Sequence, residues 1–193
     1  LGADVAQGGV VPADQRLGGA HAAVVQRHQR LEDQAEFAVV DRPAQLLQGY
    51  FNDPERTAAA FAGGWFHSGD LATIDDEGYI TVVDRKKDMI KTGGENVASR
   101  EVEEALYRLD GVSEVAVVGL PHPRWIEAVT AVVVAKAGRT LTEAEVLAHA
   151  ATQLAPFKCP KAVVFVDSLP KNPSGKLLKR ELRQRLDGQY RAA

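Results

Sequence analysis

Two runs rich in valine, 112–119 and 128–135, set the narrowest limit on what this chain can fold into. β-Branched side chains suit a pleated, buried surface, so both runs read as core strands. The signals around them agree. Ser99 opens a helix over 101–109 with acidic residues in its first turn, where the helix dipole favours them. Thr142 and Glu145 have the spacing of a capping box, which starts a helix running to about residue 154. Residues 162–166 read as a further strand, and a basic helix is expected from about 176 to 186. With a short strand just after Lys87, the order is strand, helix, strand, strand, helix, strand, helix. That is an α+β domain over 88–193, roughly 105 residues and large enough for its own core.

Upstream the signals are shorter. In Asn52-Asp53-Pro54, the aspartate can cap free backbone N–H groups and the proline suits a first helical turn. The helix runs through Phe61 and ends at Gly63-Gly64. Residues 71–74 and 79–83 read as two strands joined by the turn Asp75-Asp76-Glu77-Gly78. Residues 45–83 are too short to be a domain and read as the closing helix and hairpin of a larger one, followed by a charged linker at 84–87. Residues 1–44 contain no lysine and several small-residue pairs, and hold neither a helical nor a strand period for long. A helix over 20–37 is allowed, but Gln and Arg fall on all its sides. The expectation is an irregular lead-in, disordered or foreign to the fold that follows.

Composition removes several classes of function. Apolar residues make up 45% and charged residues 25%, the balance of a globular protein. A net charge of -3 argues against nucleic-acid or anionic-membrane partners. Cys159 stands alone, so no internal disulfide or multi-cysteine metal site can form; it reads as a buried thiol in a reducing compartment. No apolar run is long enough to span a bilayer and no secretory signal is recognisable, so a cytoplasmic location is expected. His67, His122 and His149 lack metal-ligand spacing, and no serine lies in a nucleophile elbow, which leaves metal and serine hydrolase chemistry without support.

Three blocks carry the chemistry: Trp65-Phe66-His67-Ser68-Gly69-Asp70, then Asp84 through Asn96, then Asn172-Pro173-Ser174-Gly175-Lys176. Trp65 and Phe66 read as core or wall residues. Asp70, after a tight Ser68-Gly69 turn, can accept two vicinal hydroxyls or simply bond its own turn. The run from Asp84 to Lys91 is a solvated linker or a hinge, and the planar donors of Arg85 could reach a ribose or phosphate. Gly93-Gly94 permits close backbone approach to a ligand, or is a plain turn; it is not a phosphate cradle. Lys176 is either a surface lysine in a basic helix with Lys179, Arg180, Arg183 and Arg185, or a movable point charge between two anions that must meet.

Taken together, the blocks over 45–193 resemble the adenylate-forming superfamily: acyl-CoA synthetases, aryl-CoA ligases, luciferases and peptide-synthetase adenylation domains. Within it, 87–96 and 169–180 look most like bacterial fatty-acyl-CoA synthetases. The resemblance implies that 45–83 closes the large AMP-binding domain and that 88–193 is the small mobile C-terminal domain. It further implies that Asp70 and Arg85 bind the AMP ribose, that Lys87 is the hinge, that Lys91, Gly93, Gly94 and Glu95 border the coenzyme A channel, and that Lys176 serves adenylation. The family's substrates and cofactors are a carboxylic acid, ATP, Mg2+ and coenzyme A. The family's phosphate loop, Tyr-Gly-x-Thr-Glu block and magnesium glutamate are not found in these residues. The chain alone is therefore expected to be inactive and to bind none of these tightly. Two alternatives remain: a small domain that completes a partner large domain in trans, and a non-enzymatic module using the basic C-terminal helix.

Overall fold

The computed structural model describes residues 22–26, 35–40, 47–64, 66–74, 77 and 80–190, and the chain divides into two compact units, Leu1–Lys87 and Asp88–Ala193. Trp65, Tyr79, the turn residues Asp75, Asp76 and Gly78, and much of 1–46 lie outside the described residues.

The first unit holds strands β1 (Ala22–Gln26) and β2 (Ala35–Val40), helix α1 (Pro54–Ala60), and strands β3 (Phe66–Ile74) and β4 (Ile80–Arg85). The strands form one antiparallel sheet in chain order. The helix allowed over 20–37 is not formed: Val24, Val25, Val39 and Val40 lie in paired strands, where β-branched residues lose less side-chain freedom than in a helix. α1 starts as its sequence suggests, with the Asp53 carboxylate accepting the Arg56 N–H at 2.9 Å and Pro54 in the first turn. It ends at Ala60, and in the 3-10 turn that follows, Ala62–Gly64, Gly63 takes a positive φ of 65°. β3 is longer than the 71–74 read from sequence, because it begins at Phe66 and carries Asp70 within it.

The second unit holds β5 (Ile90–Thr92), β6 (Glu95–Val97), α2 (Ser99–Tyr107), β7 (Val112–His122), β8 (Ile126–Ala135), α3 (Glu143–Gln153), β9 (Ala162–Phe165) and α4 (Lys179–Arg185). β7 and β8 form the central antiparallel ribbon, paired from Val112↔Ala135 to His122↔Ile126 with a register shift between Val112 and Glu114. The other edge of β8 is shared: β5 pairs at Ile126, and β9 runs parallel over 130–133. Val115, Val117, Val129, Ala131 and Val133 pack with Val102, Leu106, Val146 and Ala150 of α2 and α3. Ala116, Val118, Leu120 and Val132 pack with Leu182 of α4. Both faces of the ribbon are covered, which is why the valine runs do not alternate with polar residues.

Two boundaries differ from the sequence reading. The strand expected to stop at Gly119 continues to His122, and the basic helix begins at Lys179, not near 176. Cys159 is half-buried, its thiol 3.5 Å from the Ala155 carbonyl oxygen, and not the fully buried group expected.

Candidate functional site

Asp70 and Arg85 are brought together by strand pairing, since they face each other across β3 and β4. Phe37 pairs with Asp70 and Ala38 with His67, so Ser68 and Gly69 form a bulge inside β3, with Gly69 at φ 78°. The tight turn expected there is this bulge. Such an insertion re-aims the next side chain, and only glycine takes that φ without strain. The Ser68 hydroxyl accepts the Asp70 N–H at 3.1 Å. The Asp70 carboxylate lies 3.8 Å from Arg85 Nε, with side-chain exposures of 31% and 43%. At that length the pair is loose, and both groups keep hydrogen-bonding capacity for a ligand. The neighbouring Asp84 is buried and accepts the Arg85 N–H at 2.7 Å, which fixes the end of β4. Lys86–Asp88 form a single 3-10 turn, with Lys87 exposed.

In the second unit, Lys91 and Glu95 lie on β5 and β6, which are joined by Gly93-Gly94. Both glycines have positive φ, 60° and 91°, as the tightest hairpin turns require. The Gly93 N–H donates to the Trp125 carbonyl at 2.9 Å, and the Lys91 N–H to the Glu127 carboxylate at 2.7 Å. The side chains of Lys91 and Glu95 are exposed.

Lys176 closes a second tight loop. The Asn172 side-chain oxygen accepts the Lys176 N–H at 2.7 Å and the Ser174 hydroxyl at 2.8 Å, while the Asn172 N–H donates to the Lys176 carbonyl at 2.9 Å. Gly175 supplies the positive φ, 80°. Lys176 is thus on a braced turn three residues ahead of α4. It is exposed, and among the described residues its ammonium has no carboxylate partner. Its neighbours differ: Lys171 pairs with Glu114 at 2.6 Å, and Lys179 with Glu103 at 2.7 Å. Lys171 anchors the base of this loop beside Glu114, near the start of β7, whereas the Gly93-Gly94 hairpin meets the turn after His122. Eight residues of strand, about 26 Å, separate Glu114 from His122. The base of the Lys176 loop is thus tied near one end of the ribbon, and the Gly93-Gly94 hairpin near the other.

Several groups were not legible from sequence. The Glu103 carboxylate accepts the Val117 N–H at 2.8 Å and binds Lys179, which also reaches the Ser99 hydroxyl at 2.6 Å. This satisfies part of the outer edge of β7. Arg183 holds the buried Asp88 at 2.9 Å, and Arg185 pairs with Glu181. Trp125 stacks on His122, with ring centroids 4.3 Å apart, and Tyr190 meets His122 edge-on at 5.1 Å. The Tyr190 hydroxyl is 2.9 Å from Thr130 Oγ1; partial burial pushes the phenol above its usual pKa, against a smaller lowering by that hydrogen bond. Asp110 is held below the usual carboxylate range by its hydrogen bond to Lys136 and the charge of Arg139. Among the described residues no group of His, Cys, Asp and Glu could hold a metal ion, and no helix is long and apolar enough to cross a membrane.

Residues 101–176 match the family described as the AMP-binding enzyme C-terminal domain. A propanoyl:CoA ligase of Rhodococcus jostii, whose acid carries a methyl-dioxo-octahydroindenyl ring system, is 52% identical over 156 residues, covering 80% of this chain and 30% of the relative. Long-chain-fatty-acid–CoA ligase FadD13 of Mycobacterium tuberculosis is 46% identical over 154 residues, with the same coverage. The crystal structure of ATP-bound MatB from Rhodopseudomonas palustris is 38% identical with a TM-score of 0.77, over 95% of this chain and 35% of that one. The fold and these matches define a small α/β domain of the AMP-binding enzymes. Over residues 101–176 the chain carries the C-terminal domain of the AMP-binding enzymes; it is similar to the C-terminal part of acyl-CoA ligases and spans about 30% of the length of the curated relatives it matches.

Proposed function

We propose that this chain supplies the C-terminal machinery of an ATP-dependent acid–CoA ligase, with Lys176 as the cation of the adenylation step. The observation that carries this reading is the exposed Lys176 ammonium on a braced turn, unpaired among the described residues while Lys171 and Lys179 are engaged. Adenylation requires a carboxylate oxygen to attack the α-phosphorus of ATP as pyrophosphate leaves. Both reactants are anionic, so a point charge set between them lowers the barrier that repulsion imposes. Asp70 accepts the ribose hydroxyls and Arg85 donates beside it, which fits their loose contact at 3.8 Å. The phosphate loop and the carboxylate for Mg2+ come from a large AMP-binding domain.

Lys87, between the two units, is the hinge in this proposal. Its rotation withdraws Lys176 and brings Lys91, Gly93, Gly94 and Glu95 to the acyl-adenylate. The coenzyme A thiol then attacks the acyl carbon, AMP leaves, and the thioester forms. Loops at opposite ends of one ribbon suit two successive visits to one site. By this account the chain alone has no ligase activity.

The acid itself is selected elsewhere. Relatives that match this stretch at 46–52% identity include a ligase for a bicyclic propanoyl acid, one for long-chain fatty acids and a feruloyl-CoA synthase. A fatty acid remains our proposed substrate class, on the likeness to FadD13. The separate binding-module reading loses ground, because Lys179, Arg183 and Arg185 are committed to Glu103, Asp88 and Glu181. The test is to join residues 88–193 to the large domain of FadD13, and separately to that of the feruloyl-CoA synthase. Each joined enzyme is expected to form the thioester of the acid its large domain prefers. Two inactive but folded hybrids, or an acid preference that follows residues 88–193, would refute the reading.

A further inference from the structure

We propose that Tyr190 is a positioning residue for the Gly93-Gly94 hairpin, acting through His122 and Trp125. The chain of contacts is continuous. The Tyr190 hydroxyl meets the fully buried Thr130 at 2.9 Å, which anchors the ring against β8. That ring meets His122 edge-on at 5.1 Å, and His122 stacks on Trp125 at 4.3 Å. The Trp125 carbonyl then accepts the Gly93 N–H at 2.9 Å.

The turn that holds Trp125 needs such support. His122 pairs with Ile126, leaving the three-residue loop Pro123-Arg124-Trp125. The chain then enters β8 at Ile126, whose φ of 70° lies in the left-handed region that favours glycine. A β-branched side chain resists that conformation, so the turn is not held by its own backbone preference. Aromatic packing on Trp125, with His122 also accepting the Arg124 N–H at 3.0 Å, holds it in place. The segment after α4 thereby governs the hairpin.

The consequence for catalysis rests on reading the hairpin as the border of the coenzyme A channel: Tyr190 serves thioester formation and leaves adenylation alone. Amide hydrogen exchange on the full chain tests the structural part. Tyr190→Leu is expected to speed Gly93 exchange about tenfold relative to the Val118 and Val132 amides, with Tyr190→Phe, which keeps the ring, within about threefold of the parent. Equal acceleration at all three amides, or none at Gly93, would overturn the proposal. In the joined enzyme, Tyr190→Leu is expected to raise the KM for coenzyme A about fivefold, with Tyr190→Phe restoring it and adenylation unchanged. Equal loss in both half-reactions overturns the positioning role. A mobile Gly93 with normal coenzyme A kinetics, in an enzyme that still needs Lys176 for adenylation, overturns only the assignment of the hairpin.

Discussion

Ile126 combines a φ of 70° with 68% exposure, so it carries backbone strain with little burial to offset it. Left-handed backbone costs a branched residue roughly 1–2 kcal/mol, whereas glycine's extra unfolded-state entropy costs about 0.5–1 kcal/mol. Relief wins, and Ile126→Gly is expected to stabilise the protein by about 0.5–1 kcal/mol in urea denaturation. A loss of stability would show that the side chain has a packing role its exposure hides. Asp70 shows what single residues reveal and what they conceal. The sequence offers its carboxylate as a hydrogen-bond acceptor after a tight turn, but not the Ser68-Gly69 bulge, because a bulge exists only relative to the partner strand. Lys176 is similar. The sequence offers it as a movable point charge, while its exposed position between engaged neighbours depends on Glu114 and Glu103, 62 and 73 residues earlier in the chain, pairing with Lys171 and Lys179.

Among the elements, those with strong local signals were readable. The capping box of α3 is present, with the Thr142 hydroxyl, the Glu145 carboxylate and both backbone groups engaged, and the Glu145 carboxyl is held below its usual range by those Thr142 contacts. The β5–β6 hairpin is only half legible in the sequence, because three-residue strands are too short to show a period. The valine-rich run read from sequence ends at Gly119. In the structure that glycine lies within β7, where an added Cβ would come 2.9 Å from the Ile90 side chain and 2.9 Å from Glu127. Glu127 can shift, but Ile90 is 1% exposed and fixed in the core. Glycine there allows β5 to cross closely. Gly119→Ala is therefore expected to cost about 1–3 kcal/mol by overpacking, measured as a fall in the urea midpoint. A change under about 0.5 kcal/mol would mean that β5 yields freely and that its hairpin is not rigidly set.

For the whole molecule, the second unit carries both loops on one ribbon, with the base of the lysine loop near one end and the glycine hairpin near the other. Apart from β6, the order of elements over 88–193 is legible in the sequence, because the longer strands and the helices carry strong local signals. The pairing of β1 and β2 with β3 was not, because the runs 22–26 and 35–40 find their partners only across the sheet. The central claim is that Lys176 acts in adenylation and is absent from the thioester step. In an enzyme joining these residues to a large AMP-binding domain, the two half-reactions of Lys176→Ala decide the matter. Acid-dependent pyrophosphate release should fall at least about a hundredfold, while conversion of supplied acyl-adenylate to thioester stays within about threefold. Unchanged pyrophosphate release, or equal loss in both half-reactions, would contradict the account.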